Sequence, residues 1–177
     1  GKTEIHNLLE SKDILRTINI LRKLGVKIKK INGLWIINGV GTCGFKQPTQ
    51  KLDAGNSGTT SRLMLGAVAT NPIKAIFLGD KSLSARPMSR VTNFLEDIGA
   101  KIKLTKNNYL PISIQGTLDC LPLKHIITKP SAQIKSSIML AAINISGQTS
   151  IVEKQATRNH TEIMFKYLGI KFKKKSY

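Results

Sequence analysis

Residues 21–30, Leu-Arg-Lys-Leu-Gly-Val-Lys-Ile-Lys-Lys, carry the pattern that decides the fold. The pattern returns as LEDIGAKIKL at residues 95–104 and as FKYLGIKFKK at residues 165–174, so the chain repeats itself. The glycines of the three copies lie 74 and 70 residues apart. In each copy we expect an amphipathic helix that ends at the glycine in a left-handed cap, followed by a half-buried strand of alternating apolar and basic residues.

A second kind of helix is predicted at residues 60–70 and 133–144. Both segments are apolar on nearly all sides and rich in small residues, which is typical of a helix buried around most of its circumference. Each repeat then consists of a buried helix, a strand, an amphipathic helix, a strand and a hairpin partner. The first strands are predicted at residues 73–78 and 149–152, and the hairpin partners at residues 34–38 and 110–115.

These repeats predict one lobe, residues 1–177, of mixed α/β (α+β) class with buried central helices. We place a partial first unit at residues 1–50, a second unit at 51–116 and a truncated third unit at 117–177. The first unit begins at its middle strand, TEIHN from Thr3, and the third stops at Tyr177 before a hairpin partner. We therefore expect the chain to be cut at both ends relative to a threefold design.

The composition is strongly basic, with 28 Lys and Arg against 10 Asp and Glu and a net charge of +18. Such a charge suits nucleic acid, an acidic membrane surface, small anionic substrates or simply a solvated lysine face. A hydrophobic content of 41% excludes intrinsic disorder. The longest apolar stretches, such as residues 138–143, are far shorter than a membrane span, and the start does not read as a signal peptide. Cys43 and Cys120 form no disulfide or zinc pattern and are expected to be reduced thiols.

Two loops contain candidate anion ligands. The stretch LDAGNSGTTSRL at residues 52–63 places a Gly-x-x-Gly loop at the start of a buried helix, so free backbone N–H groups face one point. The alternative is a capping turn without a ligand. The stretch GDKSLSARPM at residues 79–88 places Arg86 before a proline that we expect to start the next helix, where its guanidinium can grip a carboxylate or phosphate. A solvent-facing arginine is the alternative.

Two further motifs lie in the third unit. PSAQIKSS at residues 130–137 places hydroxyl and amide groups at the start of the second buried helix, although Ser131 alone is also a good N-cap. ATRNHTE at residues 156–162 precedes the third amphipathic helix, where Thr157 or Asn159 is a candidate cap and Arg158 is free to reach a ligand.

Taken together and in this order, the motifs resemble the 3-phosphoshikimate 1-carboxyvinyltransferase (EPSP synthase) family over essentially the whole chain. The family fold has two lobes, each of three βαβαββ units, so the resemblance implies most of one lobe of an enolpyruvyl-transferase fold. The implied reaction transfers the enolpyruvyl group of phosphoenolpyruvate to the 5-hydroxyl of shikimate 3-phosphate and releases phosphate. No metal or other cofactor is implied.

The resemblance also implies which residues contact each substrate. Phosphoenolpyruvate would contact Asn56, Gly58, Thr59, Arg86 and Gln133. Shikimate 3-phosphate would contact Ser131, Ala132, Gln133, Thr157 and Arg158. Thr157 stands where the family carries a phosphate-binding serine, and Arg158 matches an arginine of one branch of the family.

Some parts of the family pattern are absent. The lysine- and serine-bearing opening motif would precede Gly1, and the acid/base groups belong to the other lobe, after Tyr177. The resemblance therefore implies no catalytic residue in this chain and an inactive fragment that needs its C-terminal lobe. Lys81 lies in a segment that resembles the missing opening motif, but the order of motifs argues against that role, and we expect it to be solvated.

Three other classes of protein fit the sequence less well. UDP-N-acetylglucosamine enolpyruvyl transferases usually carry a reactive cysteine at the position of Lys81. RNA terminal-phosphate cyclases have a nucleophilic histidine motif, which His160 does not match. A nucleic-acid-binding module would interleave its basic residues with stacking aromatics, whereas the aromatic residues here are dispersed. We expect neither nucleic acid nor membrane as a partner, a monomeric parent enzyme, and a cytoplasmic or plastid location.

Overall fold

The computed structural model describes residues 1–106 and 108–174, with side chains given except at residues 105 and 106. Its helices are α1 (Lys12–Lys23), α2 (Gly58–Ala69), α3 (Lys81–Ser84), α4 (Ser89–Asp97), α5 (Ala132–Ala142) and α6 (His160–Tyr167). Its strands are β1 (Lys2–Ile5), β2 (Lys27–Ile31), β3 (Leu34–Asn38), β4 (Leu52–Asp53), β5 (Lys74–Leu78), β6 (Lys101–Lys106), β7 (Tyr109–Gln115), β8 (Lys124–Ile127) and β9 (Ser150–Glu153).

The first and third sheets each match a different part of the second sheet. The order β1-β3-β2 in the first sheet matches β5-β7-β6 in the second, and all pairings within these triplets are antiparallel. β4 joins the second sheet parallel to β5, and β8 pairs with β9 in the same parallel way. In the described chain, a full βαβαββ unit is present between residues 52 and 115. This topology confirms the predicted fold of repeated units with buried central helices.

The two buried helices, α2 and α5, lie side by side. Gln133 donates to Thr59 near their first residues, at 2.9 Å, and Asn144 donates to Thr70 just beyond their last residues, also at 2.9 Å. Both pairs are 74 residues apart in sequence, so the helices run parallel with equivalent positions of two repeats in contact. Their two N-termini therefore lie at the same end of the lobe.

Gly66 allows α2 and α5 to approach closely. A Cβ at this position would lie 2.2 Å from the backbone oxygen of Ser137 and 2.5 Å from its Oγ. The same serine donates its hydroxyl proton to the carbonyl of Arg62 at 2.7 Å. Close helix contact and a direct side-chain bond thus fix α5 against the first half of α2, where the candidate site lies.

The predicted helix ends are confirmed. Gly25, Gly99 and Gly169 follow α1, α4 and α6 with φ values of +91°, +111° and +73°, so each provides the left-handed cap that a Cβ would disfavour. The helix predicted to start near Pro87 begins instead at Ser89, after Met88 as N-cap.

The prediction of a strand after Gly169 is wrong. Residues 170–174 form no strand, and Phe172 packs edge-on against Phe165 with ring centroids 6.5 Å apart. The equivalent strands β2 and β6 each pair with a hairpin partner, β3 and β7. No described residue offers such a partner to residues 170–174.

Two further findings concern the cysteines and membrane-crossing helices. Cys43 and Cys120 are free thiols. Within residues 1–106 and 108–174, no helix combines the length and apolar character that crossing a bilayer requires.

Candidate functional site

The site is built on the adjacent N-termini of α2 and α5. Ser57 caps α2 by accepting a hydrogen bond from the Thr60 amide at 3.1 Å, and Ser131 caps α5 by accepting from the Ile134 amide at 3.4 Å. Parallel helices place their positive dipole ends together, and the remaining free N–H groups point the same way. This end of the lobe therefore favours an anionic ligand.

A half-buried arginine joins the two helix starts. Arg62, one turn into α2, donates to the Gln133 side-chain oxygen at 2.9 Å and to the Pro87 carbonyl at 3.2 Å. Burial lowers the pKa of its guanidinium, and the positive charges of Arg86 and Arg90 lower it further. Three arginines thus crowd one end of the lobe, and an anion there would relieve their mutual repulsion.

Gln133 lies at the centre of this arrangement. Its amide group donates to Thr59 at 2.9 Å, while its oxygen accepts from Arg62 at 2.9 Å. Both ends of the side-chain amide are therefore fixed, one by each partner on α2. The residues predicted for two different ligands are brought together at this glutamine.

Asn56 and Arg86 form the outer part of the site. Arg86 donates to Asn56 Oδ1 at 3.2 Å and to Ser82 Oγ at 3.3 Å, and Asn56 donates its own amide to Asp80 at 3.0 Å. Asp80 also caps α3 by accepting from the Leu83 amide at 2.8 Å. That backbone hydrogen bond, with the one from Asn56, lowers the pKa of the Asp80 carboxyl. Asp80 stays ionised and fixes the orientation of the Asn56 amide.

Gly58 lies close to the guanidinium groups of Arg62 and Arg86. A Cβ there would lie 2.6 Å from Arg62 Nη1 and 3.5 Å from Arg86 Nη1. A side chain at this position would therefore displace the Arg62 guanidinium from the start of α2, while Arg86 would stay at an ordinary contact distance.

The remaining predicted residues lie in the third unit. Ser131 and Ala132 open α5, beside Gln133, and all three are half-buried. Thr157 donates its hydroxyl proton to Glu153, whose other oxygen lies 3.0 Å from Lys135 Nζ on α5. Arg158 follows in the same loop and is exposed.

Lys135 is the centre of a buried ion triad. Its side chain is only 5% exposed, and its Nζ lies 2.7 Å from Glu162 Oε1 in addition to Glu153. Burial opposes the charge on Lys135, but hydrogen bonds to Glu162 and Glu153 outweigh it, so the pKa of Lys135 lies above its ordinary value. Burial likewise opposes the charge on Glu153, and bonds from Thr157 and Lys135 outweigh it, so the pKa of Glu153 is lowered.

These shifts predict how stability depends on pH. The depressed pKa of Glu153 contributes stability that is complete above its ordinary pKa of 4.5 and is lost as the pH falls through the lower value of the folded state. The raised pKa of Lys135 contributes stability that is complete below 10.5 and is lost as the pH rises through its higher folded value. We expect urea unfolding at a series of pH values to give a plateau between these limits. Glu153→Gln should flatten the acid limb, and an unchanged acid limb in that variant would contradict the assignment.

The site as described offers groups that bind anions. Asn56, Thr59, Arg62, Arg86 and Gln133 supply hydrogen bonds and positive charge. Hydrogen bonds lower the pKa values of the nearby carboxyls of Asp80 and Glu153. Among the described residues, no group of three or more His, Cys, Asp or Glu is placed to hold a metal ion.

Sequence reasoning missed three residues of this arrangement. Arg62 was in the quoted GNSGTTSRL stretch, and its spacing four residues after Gly58 on a helix would have placed it over the same turn. Asp80 carried the usual signal of a helix N-cap. Lys135 offered no local signal, because its partners lie 18 and 27 residues further along the chain. Lys81, expected to be solvated, is exposed.

The βαβαββ topology and the two parallel buried helices define a lobe of the enolpyruvyl-transferase class. A family model described as EPSP synthase (3-phosphoshikimate 1-carboxyvinyltransferase) matches residues 1–177. The chain belongs to this family.

Individual relatives agree with this assignment. Proteins named 3-phosphoshikimate 1-carboxyvinyltransferase from Cereibacter sphaeroides and Rhodopseudomonas palustris strain BisB5 are 42% and 44% identical over 96% of this chain. The chain spans 38% of the length of each. The solved structure of EPSP synthase from Acinetobacter baumannii superimposes with a TM-score of 0.93 at 38% identity, over 99% of this chain and 40% of that one.

Proposed function

We propose that this chain supplies half of the substrate-binding cleft of an enzyme that joins phosphoenolpyruvate to shikimate 3-phosphate. The products are 5-enolpyruvylshikimate 3-phosphate and phosphate. The observation that carries the proposal is that Gln133, at the start of α5, is hydrogen-bonded to both Thr59 and Arg62 on α2, because these bonds place the groups assigned to one anion beside those assigned to the other. The names of the relatives support the reaction.

Phosphoenolpyruvate is assigned to the start of α2. The backbone N–H groups at Gly58 and Thr59 face its phosphate, and Arg86 binds an anionic end with a bidentate fork. Asn56, held by Asp80, presents its amide to the same ligand. Arg62 lies behind them and provides a positive charge that water screens poorly.

Shikimate 3-phosphate is assigned to the start of α5 and the loop before α6. Ser131, Ala132 and Gln133 offer hydroxyl, backbone and amide groups to its phosphate and ring. Thr157 and Arg158 approach from the third unit. With Gln133 shared, the two ligands lie next to each other, which is what transfer between them requires.

The remainder of the protein supplies the acid and base in this proposal. The family resemblance places those groups in the other lobe. We therefore expect weak binding of shikimate 3-phosphate by the isolated chain and no enzymatic activity.

Chemical-shift mapping by NMR tests this proposal. Titration of the chain with shikimate 3-phosphate to millimolar concentration should shift the amide resonances of residues 131–133 and 157–158. No shift in either segment would contradict a half-site formed by this chain. Measurable turnover by the purified chain would contradict the assignment of the acid and base to the rest of the protein.

Arg86→Gln tests the phosphoenolpyruvate part of the site. We expect the dissociation constant for phosphoenolpyruvate, measured by the same shift mapping, to rise by about tenfold, because a charge-assisted hydrogen bond to the anion is lost. Lys81→Gln is the matched control, since it removes one exposed charge five residues away and should leave the constant within about twofold. Equal effects of the two changes would mean that general charge, and not Arg86, attracts the ligand.

A further inference from the structure

The third unit contains a polar connection between α5 and the loop before α6. Lys135 on α5 contacts Glu153 at the end of β9 and Glu162 on α6, and Ser136 lies 2.6 Å from Thr161 between their hydroxyl oxygens. Every residue of β9 is half-buried, and Phe165 is the buried residue of α6. Hydrogen bonds and ion pairs thus contribute to the position of α6 relative to α5.

Glu153 also contacts the loop before α6, which carries Thr157 and Arg158. One of its oxygens accepts from Lys135 and the other accepts from the Thr157 hydroxyl. Lys135 lies two residues beyond Gln133 on the same helix, and Arg158 directly follows Thr157. These contacts thus connect α5, which Ser131 caps, to the loop that carries Arg158.

The hydroxyl of Thr157 has one proton, and that proton is donated to Glu153. In this arrangement the hydroxyl offers only lone pairs to a phosphate, which would repel them. The donors left at this position are the Thr157 and Arg158 backbone N–H groups and the Arg158 guanidinium. Thr157 is then a residue that holds the loop, and Arg158 is a residue that reaches the anion.

We propose that Lys135 and Glu153 are positioning residues that hold Thr157, and with it Arg158, against the start of α5 in the shikimate 3-phosphate site. The inference rests on the function proposed above. It assigns to the buried lysine the task of neutralising Glu153, so that the carboxylate can hold the loop beside an anion without repelling it. Glu162 completes the charge balance around Lys135 but has no contact with Thr157 among its hydrogen bonds.

The two glutamates provide a matched pair of variants. Glu153→Gln and Glu162→Gln each remove one negative charge beside Lys135, so they change general electrostatics in the same direction. Only Glu153→Gln alters the acceptor of the Thr157 hydroxyl, because the amide has an oxygen at one of the two positions that the carboxylate oxygens occupy and an NH2 donor at the other. If Glu153 only stabilised the fold, each variant would weaken ligand binding only in proportion to its loss of stability.

The test measures the dissociation constant for shikimate 3-phosphate by NMR titration and the urea unfolding midpoint of each variant. We expect Glu153→Gln to weaken binding roughly tenfold and Glu162→Gln to stay within about twofold. Thr157→Val should weaken binding as much as Glu153→Gln, without further loss in the double variant, whereas Thr157→Ser should restore it. In the ligand-free spectrum, Glu153→Gln should move the amide resonances of Thr157 and Arg158 more than Glu162→Gln does.

The outcomes separate the two proposals. If the unaltered chain binds shikimate 3-phosphate and both glutamate variants weaken it equally, the positioning role is overturned while the proposed function stands. If Glu153→Gln does not fold, the comparison of Thr157→Val with Thr157→Ser decides, and equal affinities for the two overturn the positioning role. If the unaltered chain shows no response to the ligand, the half-site itself is contradicted, and the positioning role with it.

Discussion

Lys135→Met will lower the free energy of unfolding by about 3–5 kcal/mol, because it leaves Glu153 and Glu162 facing each other without a counter-charge in a buried position. Urea unfolding at neutral pH followed by circular dichroism measures this loss. Part of the stability should return as the pH is lowered, since protonation of the two carboxyls removes their repulsion. Such a recovery is the reverse of what we expect for the unaltered chain.

Lys154→Met is the control for this change. Lys154 lies next to Glu153 in sequence but is exposed, and loss of an exposed lysine costs no more than about 1 kcal/mol. A loss below about 1 kcal/mol for Lys135→Met would show that the triad contributes little and that burial of Lys135 is incidental.

Gly66→Ala will destabilise the lobe by about 3 kcal/mol, even though alanine is the better helix former by about 1 kcal/mol. The added methyl group would lie 2.2 Å from the Ser137 backbone oxygen, and α5 cannot yield there without losing the bond from Ser137 to Arg62. Chemical denaturation measures the effect. Because the helices separate at the level of Arg62, ligand-induced shifts near Gln133 should weaken as well.

Gly33→Ala is the matched control for Gly66→Ala. A Cβ at Gly33 meets nothing within 4 Å, and the cost there is confined to the backbone strain of a φ of +80°, about 1 kcal/mol. Equal losses for the two variants would show that α2 and α5 can move apart freely.

The repeats made most of the fold predictable, because their signals are local. A glycine after an amphipathic pattern is sufficient to end α1, α4 and α6, and small apolar residues are sufficient to predict that α2 and α5 are buried. The strand after Gly169 failed for a non-local reason. The sequence pattern of residues 170–174 is that of β2 and β6. Strand formation also requires a hydrogen-bonded neighbouring strand, and a local sequence pattern does not show whether such a strand is available.

The candidate site was predictable to the extent that its ligands lie at helix starts. Asn56, Gly58, Thr59, Arg86 and Gln133 are brought together as the family resemblance led us to expect, while their roles toward the substrates remain predictions. Arg62 and Lys135 were missed because both are cations inside nearly apolar segments, and their meaning depends on partners far away in sequence. From sequence alone, a lysine in an apolar helix is predicted to be exposed. Only the structure shows that two carboxylates surround Lys135.

The parallel pairing of α2 and α5 ties ligand binding to folding. The bonds that join α5 to α2 link residues 71 to 75 positions apart, so the part of the site around Gln133 does not exist in any single repeat and appears only when two repeats have docked. Contacts of such long range also make folding slow. An anion that binds this end of the lobe binds only the docked form, and it therefore stabilises the whole chain in proportion to the logarithm of its concentration. Any anion bound at this end of the lobe would in this way act as a folding ligand for the chain.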